Sequence, residues 1–180
     1  MNQVTINNAV IELFVGDLVN AQYDAITIPT NSRLLPSGTL RCRVLKEAGH
    51  KIQLECNQII SKMSNVPIGS AVITSGGNLN ANFIIHARAG HDQKKLMLAT
   101  WSSLILADKQ RVNSIVFPPM SIDVIGFNAK VCAGIMIPTI QKYIIKKNGN
   151  LKNVSICLET LPDYKEFESV INNLIAPITY

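Results

Sequence analysis

The sequence predicts one α/β domain built on a largely parallel or mixed sheet, and three observations carry that expectation. Its 180 residues suit a single domain, and 47% apolar residues supply a core of that size. Short β-branched runs alternate with segments of helical period, the sequence mark of a layered α/β fold. Charged residues amount to only 16%, which excludes a disordered, acidic or coiled-coil chain.

The elements follow in order. Strands are expected at Val10–Val15, Asp24–Pro29, Ser70–Thr74, Asn82–Ala87, Asn113–Pro118 and Asn153–Leu158, each a short apolar run bounded by turn residues. A helix carrying Leu40, Val44 and Leu45 follows the second strand. Met97, Leu98, Trp101, Leu104 and Ile105 form one apolar stripe, Cys132, Ile135, Met136, Ile140 and Tyr143 a second, and Phe167, Val170, Ile171 and Leu174 a third. Trp101 and the methionines therefore read as core. Lys146–Lys152, with Gly149, is a helix-to-strand turn rather than a domain boundary.

Composition narrows the function classes. The longest stretch free of Asp, Glu, Lys and Arg, Met63–Ala87, contains Pro67, Gly69, Gly76 and Gly77 and is no membrane span. Met1–Val10 has neither a cationic region nor an apolar run of signal length, so a cytoplasmic protein is expected, or a nuclear one in a eukaryote. Cys42, Cys56, Cys132 and Cys157 lie 14, 76 and 25 residues apart, a spacing that writes no metal site and no redox pair; reduced thiols are expected, and neither metal nor cofactor. The net charge of +5 is concentrated, because residues 124–158 hold Lys130, Lys142, Lys146, Lys147 and Lys152 and no acid. A solvated helix end explains such a run, and single-stranded RNA is the partner it would otherwise suit.

In an open α/β sheet the ligand crevice lies beyond the carboxyl ends of the strands, where helix N-termini offer free N–H groups. Two loops fit that place. One is Asn31–Leu40, after a strand ending in Pro29; the other is Pro118–Phe127, also between strand and helix. Neither carries a Walker A or dinucleotide fingerprint. His86, at a strand end, reads as a packed histidine, and Arg88 and His91 as a solvated turn.

Five ordered blocks then carry a resemblance. Val15–Gly16–Asp17–Leu18, Asp24–Ala25–Ile26–Thr27–Ile28–Pro29–Thr30–Asn31 running on to Glu47–Ala48–Gly49, Pro67–Thr74, Phe83–His86, and Ser114–Pro118 with Gly126–Phe127 resemble the macro domain, the ADP-ribose-binding module, over nearly the whole chain. Pro29–Thr30–Asn31 is more similar to the histone macro domains than to the bacterial deacetylases of the family. The resemblance implies a three-layer α/β/α sandwich with a mixed six-stranded sheet. It places adenine near Asp17 and Leu18, the pyrophosphate between Ser37–Gly38–Thr39 and Ser121–Ile122–Asp123–Val124–Ile125–Gly126–Phe127, and the distal ribose near Asn31. A carboxylate at position 17 accepts from the adenine amino group and selects against guanine.

Departures from the family pattern bear on activity. Of the glycine-rich first loop only Gly38 survives, and Arg41 stands where hydrolytic members carry an aspartate; a guanidinium stays protonated and is no base. In the second loop Asp123 replaces a glycine and Ile125 a residue that stacks near the ribose, and both changes oppose a pyrophosphate. The expected function is a reader of ADP-ribose, or of an ADP-ribosylated protein, with weakened affinity and little catalysis. The rival readings are an ADP-ribosyl hydrolase using an atypical base, with Asn31 in its site, and a degenerate macro domain that binds RNA or a protein through residues 124–158.

Overall fold

The computed structural model describes residues 2–120, 127–147 and 149–175. Seven strands form one sheet: β1 (Gln3–Ile6), β2 (Ala9–Val15), β3 (Ala25–Pro29), β4 (Ala71–Ser75), β5 (Phe83–Ala87), β6 (Ser114–Phe117) and β7 (Asn153–Leu158), in the order β1-β2-β7-β6-β3-β5-β4. β2, β7, β6, β3 and β5 are parallel, while β1 and β4 run antiparallel at the two edges. The sheet is therefore mixed, as expected, but has seven strands where six were expected. The extra strand is β1, whose Gln-Val-Thr-Ile alternates exposed and half-buried residues. It folds back through Asn7–Asn8, and Asn7 takes the positive φ of 52° that a tight hairpin asks for.

Side chains alternate across the strands and feed two cores. Ile26 and Ile28 of β3, Ile84 of β5 and Val116 of β6 meet α1 (Thr39–Ala48) and α2 (His50–Met63) on one face. Ile11 and Leu13 of β2, Ile115 and Phe117 of β6 and Val154 and Ile156 of β7 meet α3 (Gln93–Lys109), α4 (Ala129–Lys146) and α5 (Leu161–Ile175) on the other. This is the three-layer sandwich. Phe167 and Ile171 are buried as the α5 stripe predicts. The α3 stripe is shifted by one residue, because Leu96, Ala99 and Leu104 face the core while Met97 lies at the surface. Trp101 packs edge-on against Tyr143, with ring centroids 5.0 Å apart. The four cysteines, all among the described residues, form no disulfide, and only Cys42 is exposed. None of the described helices is long and apolar enough to cross a membrane.

Candidate ligand-binding cleft

The carboxyl ends of β3, β6 and β7 open onto a cleft of about 120 Å³. Leu18, Pro29, Leu40, Pro118, Met120 and Cys157 give it an apolar lining, and Glu159, Thr160 and Asp163 form its wall beyond β7. β6 sits between β3 and β7, so the helices after these strands leave toward opposite faces and the crevice opens between them.

One end of this region is acidic. Asp17 follows β2 and caps the 3-10 turn Leu18–Asn20, accepting from the Val19 N–H at 3.1 Å and the Asn20 side-chain amide at 3.0 Å. Arg43 of α1 reaches the same carboxylate at 2.8 Å and Glu159 at 3.6 Å, tying the β2 and β7 ends together. Asp17 Oδ1 thus accepts from Val19 alone among the described residues and keeps capacity for a second donor. Thr160 caps α5: it accepts from the Asp163 N–H and donates to the Asp163 carboxylate at 2.8 Å. At the cleft floor, burial first and then the Asp17 and Glu159 carboxylates push the Cys157 thiol up to about 12, so it is neutral and no nucleophile at physiological pH.

The other end is the loop from Thr30 to Gly38. Asn31 organises it by donating to the Leu35 carbonyl at 2.8 Å and to Ser37 Oγ at 2.9 Å, while its Oδ1 accepts from the Arg33 and Leu35 N–H groups. Its amide is fully engaged in shaping the arch. Gly38 then starts α1 with φ at 68°, no side-chain cap is present, and a Cβ there would meet nothing within 4 Å. The first turn of α1 therefore has no side-chain cap for its N–H groups and no acid, and Gly38 and Thr39 at its start are exposed.

Arg41, three residues into α1, turns inward and is 1% exposed. Its Nε donates to the Leu35 carbonyl at 2.9 Å and its Nη2 to the Leu34 carbonyl at 2.7 Å, while Nη1 lies 2.8 Å from His86 Nδ1. A guanidinium only donates, so Nδ1 is the acceptor and the His86 ring proton sits on Nε2, 2.9 Å from Thr74 Oγ1. Burial, and then the charge of Arg41, hold His86 well below the usual imidazole range, so it is neutral. The Cys56 thiol also borders the guanidinium, with burial raising it. Thr74, His86 and Arg41 thus form a buried polar column that pins the loop from behind.

Of the sequence-predicted residues, Leu18 lines the cleft, Asp17 stands beside Glu159 at its rim, and Asn31, Ser37, Gly38 and Thr39 make the loop and the start of α1. Phe127 packs against the core beside α3 and α4. Ser121, Ile122, Asp123, Val124, Ile125 and Gly126 lie outside the described residues. Glu159, Thr160, Asp163 and Arg43 were not foreseen. The first two directly follow an expected strand, so the rule that ligands lie beyond strand carboxyl ends could have found them. His86 is the packed histidine the sequence suggested, and Arg88 is tied to the Val66 carbonyl at 2.6 Å rather than solvated. The lysines of 124–158 do not form one patch: Lys130 begins the helix that Lys146 ends, about 24 Å away at 1.5 Å per residue. No group of three potential metal ligands occurs among the described residues.

Comparisons with known proteins agree with this frame. The family model of the macro domain matches residues 28–136. A macro domain-containing protein of Listeria monocytogenes is 31% identical, with 91% of this chain and 97% of the relative covered. An O-acetyl-ADP-ribose deacetylase of Pantoea vagans is 28% identical over 90% of this chain and 98% of its own. Among solved structures, an Oceanobacillus iheyensis macrodomain variant holding ADP-ribose superposes with a TM-score of 0.90 at 24% identity, covering 96% of this chain and 97% of that one. With the family model matching from the end of β3 into α4, and a relative above 30% identity covered almost end to end, the chain belongs to the macro domain family.

Proposed function

We propose that this macro domain binds ADP-ribose, free or attached to a protein, and that its cleft is a reader's rather than a catalyst's. The observation that carries the reading is the charge arrangement of the crevice. Asp17, Glu159 and Asp163 make one end acceptor-rich, where a purine amino group is welcome and a phosphate is repelled. The uncapped start of α1 beside Gly38 makes the other end anion-seeking. A nucleoside diphosphate fits this polarity in one orientation only, with adenine at the acidic end and phosphates toward the loop. Ser37, Gly38 and Thr39 are exposed, so the far ribose has an open exit and a protein carrier is compatible.

Hydrolysis is disfavoured by the same geometry. The position at which hydrolytic relatives carry an aspartate holds a cation facing the core, and the Asn31 amide is engaged within its loop. The carboxylates lining the cleft among the described residues, Glu159 and Asp163, stand at the opposite end from the loop that would receive the distal ribose. Calorimetric titration tests the reading: one site for ADP-ribose, weaker binding of AMP, and no release of ADP-ribose from a modified carboxylate over hours. Robust release would make the deacetylase-like reading the better one.

A further inference from the structure

We infer that the end of the sheet opposite the cleft, at the amino termini of β6 and β7, is a docking surface for the phosphate backbone of duplex nucleic acid. Two turns meet there, one after α3 and one between α4 and β7. The Lys152 and Asn153 N–H groups donate to the Asn113 carbonyl at 2.7 and 3.0 Å, and the Asn150 N–H donates to Asp108 at 2.9 Å. These bonds bring Lys109, Arg111, Lys142, Lys146, Lys147 and Lys152 to one rim, and all six are exposed.

The two local acids, Asp108 and Asp24, offset only part of the six cations and leave the rim net positive. The Asp108 carboxylate takes the Tyr143 hydroxyl at 2.5 Å and the Asn150 N–H, and Asp24 Oδ2 takes the Asn113 and Ser114 N–H groups and the Ser114 hydroxyl. Both carboxylates hold the turns together. Among the described residues the ion pairs involve Arg43 and Lys51 and none of the six rim cations. Asn7 and Asn8, in the β1–β2 turn, border the same hollow as Lys147 and Lys152 and add neutral donors.

The chemistry of the rim decides the occupant. Unpaired cations over a linear array of phosphates release condensed counterions, a driving force that an isolated acidic side chain does not offer. Single strands are usually held by stacking on exposed aromatic rings, and here Tyr143 is 3% exposed and packed against Trp101, while Phe83, beside Arg111, is half-buried against the core. An acidic protein or a bilayer would want an apolar centre, and Ile145 is the one large exposed aliphatic on this end of α4. A backbone-reading, sequence-indifferent duplex contact is what remains, distinct from the single-stranded partner that the sequence suggested. It lies at the amino-terminal ends of β6 and β7, away from the cleft at their carboxyl ends, so the two sites do not compete.

The test is fluorescence anisotropy of the intact protein with a labelled 20-base-pair DNA duplex and a single-stranded RNA of equal length, between about 50 and 200 mM salt. The duplex is expected to bind with micromolar affinity at the lowest salt, and the logarithm of the affinity to fall against log salt with a slope of about −3.6 to −5.4, set by four to six phosphate contacts at roughly −0.9 each. K146Q/K147Q should weaken the duplex roughly ten-fold and reduce that slope by about 2, since each lysine–phosphate contact removed lowers it by about 1. K130Q, at the far end of α4, should change nothing beyond two-fold. All of these lysines are exposed, and an unchanged Tm certifies the folds. Absence of duplex binding at the lowest salt overturns the inference, as does an equal loss in K130Q. RNA bound ten-fold more tightly than the duplex overturns the duplex assignment, and equal displacement by polyglutamate reassigns the surface to an acidic protein.

Discussion

Arg41→Met removes the tether behind the first loop, and the structure sets the size of the effect. Two buried acceptors, the Leu34 carbonyl and His86 Nδ1, and the half-buried Leu35 carbonyl lose a charged donor at 2.7, 2.8 and 2.9 Å. Each unpaired buried acceptor costs about 1–3 kcal/mol. Against that, the guanidinium is buried with no carboxylate within ion-pair distance among the described residues, so its removal refunds several kcal/mol of desolvation. The two sides leave a net loss of about 3 kcal/mol. For a domain of this size each kcal/mol shifts Tm by roughly 2–4 °C, so Tm should fall by about 6–12 °C. Arg41→Lys, which reaches fewer of the acceptors, should fall between. Calorimetry reads the stability, and titration with ADP-ribose beside adenosine reads the loop. The variant should lose ADP-ribose affinity several-fold while adenosine, held at the acidic end, changes little. A wild-type Tm together with wild-type ADP-ribose affinity would refute the claim that this cation shapes the loop.

Other expectations follow from individual groups. His86 is neutral in the folded chain with its pKa well below the unfolded value, so the unfolded state binds the extra proton and stability falls as pH drops through the unfolded pKa. Between pH 7 and 5 the loss is at most about 2 kcal/mol, the limit set by an unfolded pKa of about 6.5; pH-dependent denaturation should show a loss in the wild type and not in His86→Gln. Thr27 Oγ1 is fully buried with no partner among the described residues, so Thr27→Val should raise stability by about 1 kcal/mol in urea unfolding, and a loss would mean the hydroxyl is satisfied. Asp17→Ala should weaken adenine nucleotides about ten-fold relative to guanine ones, a hydrogen bond to a charged group being worth about 1.5–3 kcal/mol; comparison with Arg43→Ala separates base reading from the loss of the rim ion pair. Asp123→Gly, on the resemblance to the family's second loop, should improve ADP-ribose binding roughly ten-fold at low salt, equivalent to about 1.4 kcal/mol, with adenosine unaffected.

The sheet was legible because parallel strands buried on both faces read as β-branched runs, and β2 through β7 all lie where such runs occur. β1 was missed because Gln-Val-Thr-Ile at an edge carries half the apolar signal of an inner strand. Met97 was misassigned for a related reason. In α3 the small residues Ala99, Ser103 and Ala107 face the core, and a stripe drawn through large apolar side chains alone slips by one position. In the site, Asp17 and the Asn31 loop could be named from local sequence. Arg41 could be identified as a poor base but not as a buried tether, since its partner His86 is 45 residues away and only the β3–β5 pairing brings it near. The acidic wall at Glu159 and Asp163 was hidden because β7 reaches the cleft through sheet order, not through chain proximity.

The central claim is that ADP-ribose lies across the strand ends with its base at the acidic rim and its phosphates at the start of α1. Backbone amide chemical shifts followed during titration with ADP-ribose, with adenosine in parallel, test it most directly. ADP-ribose should move the amides of Gly16–Leu18, Ser37–Arg41 and Glu159–Asp163 together and saturably, and adenosine should move the first and third sets but leave Ser37–Arg41 in place. Shifts from both ligands confined to Ser37–Arg41, or no saturable shift at either end of the cleft, would contradict it.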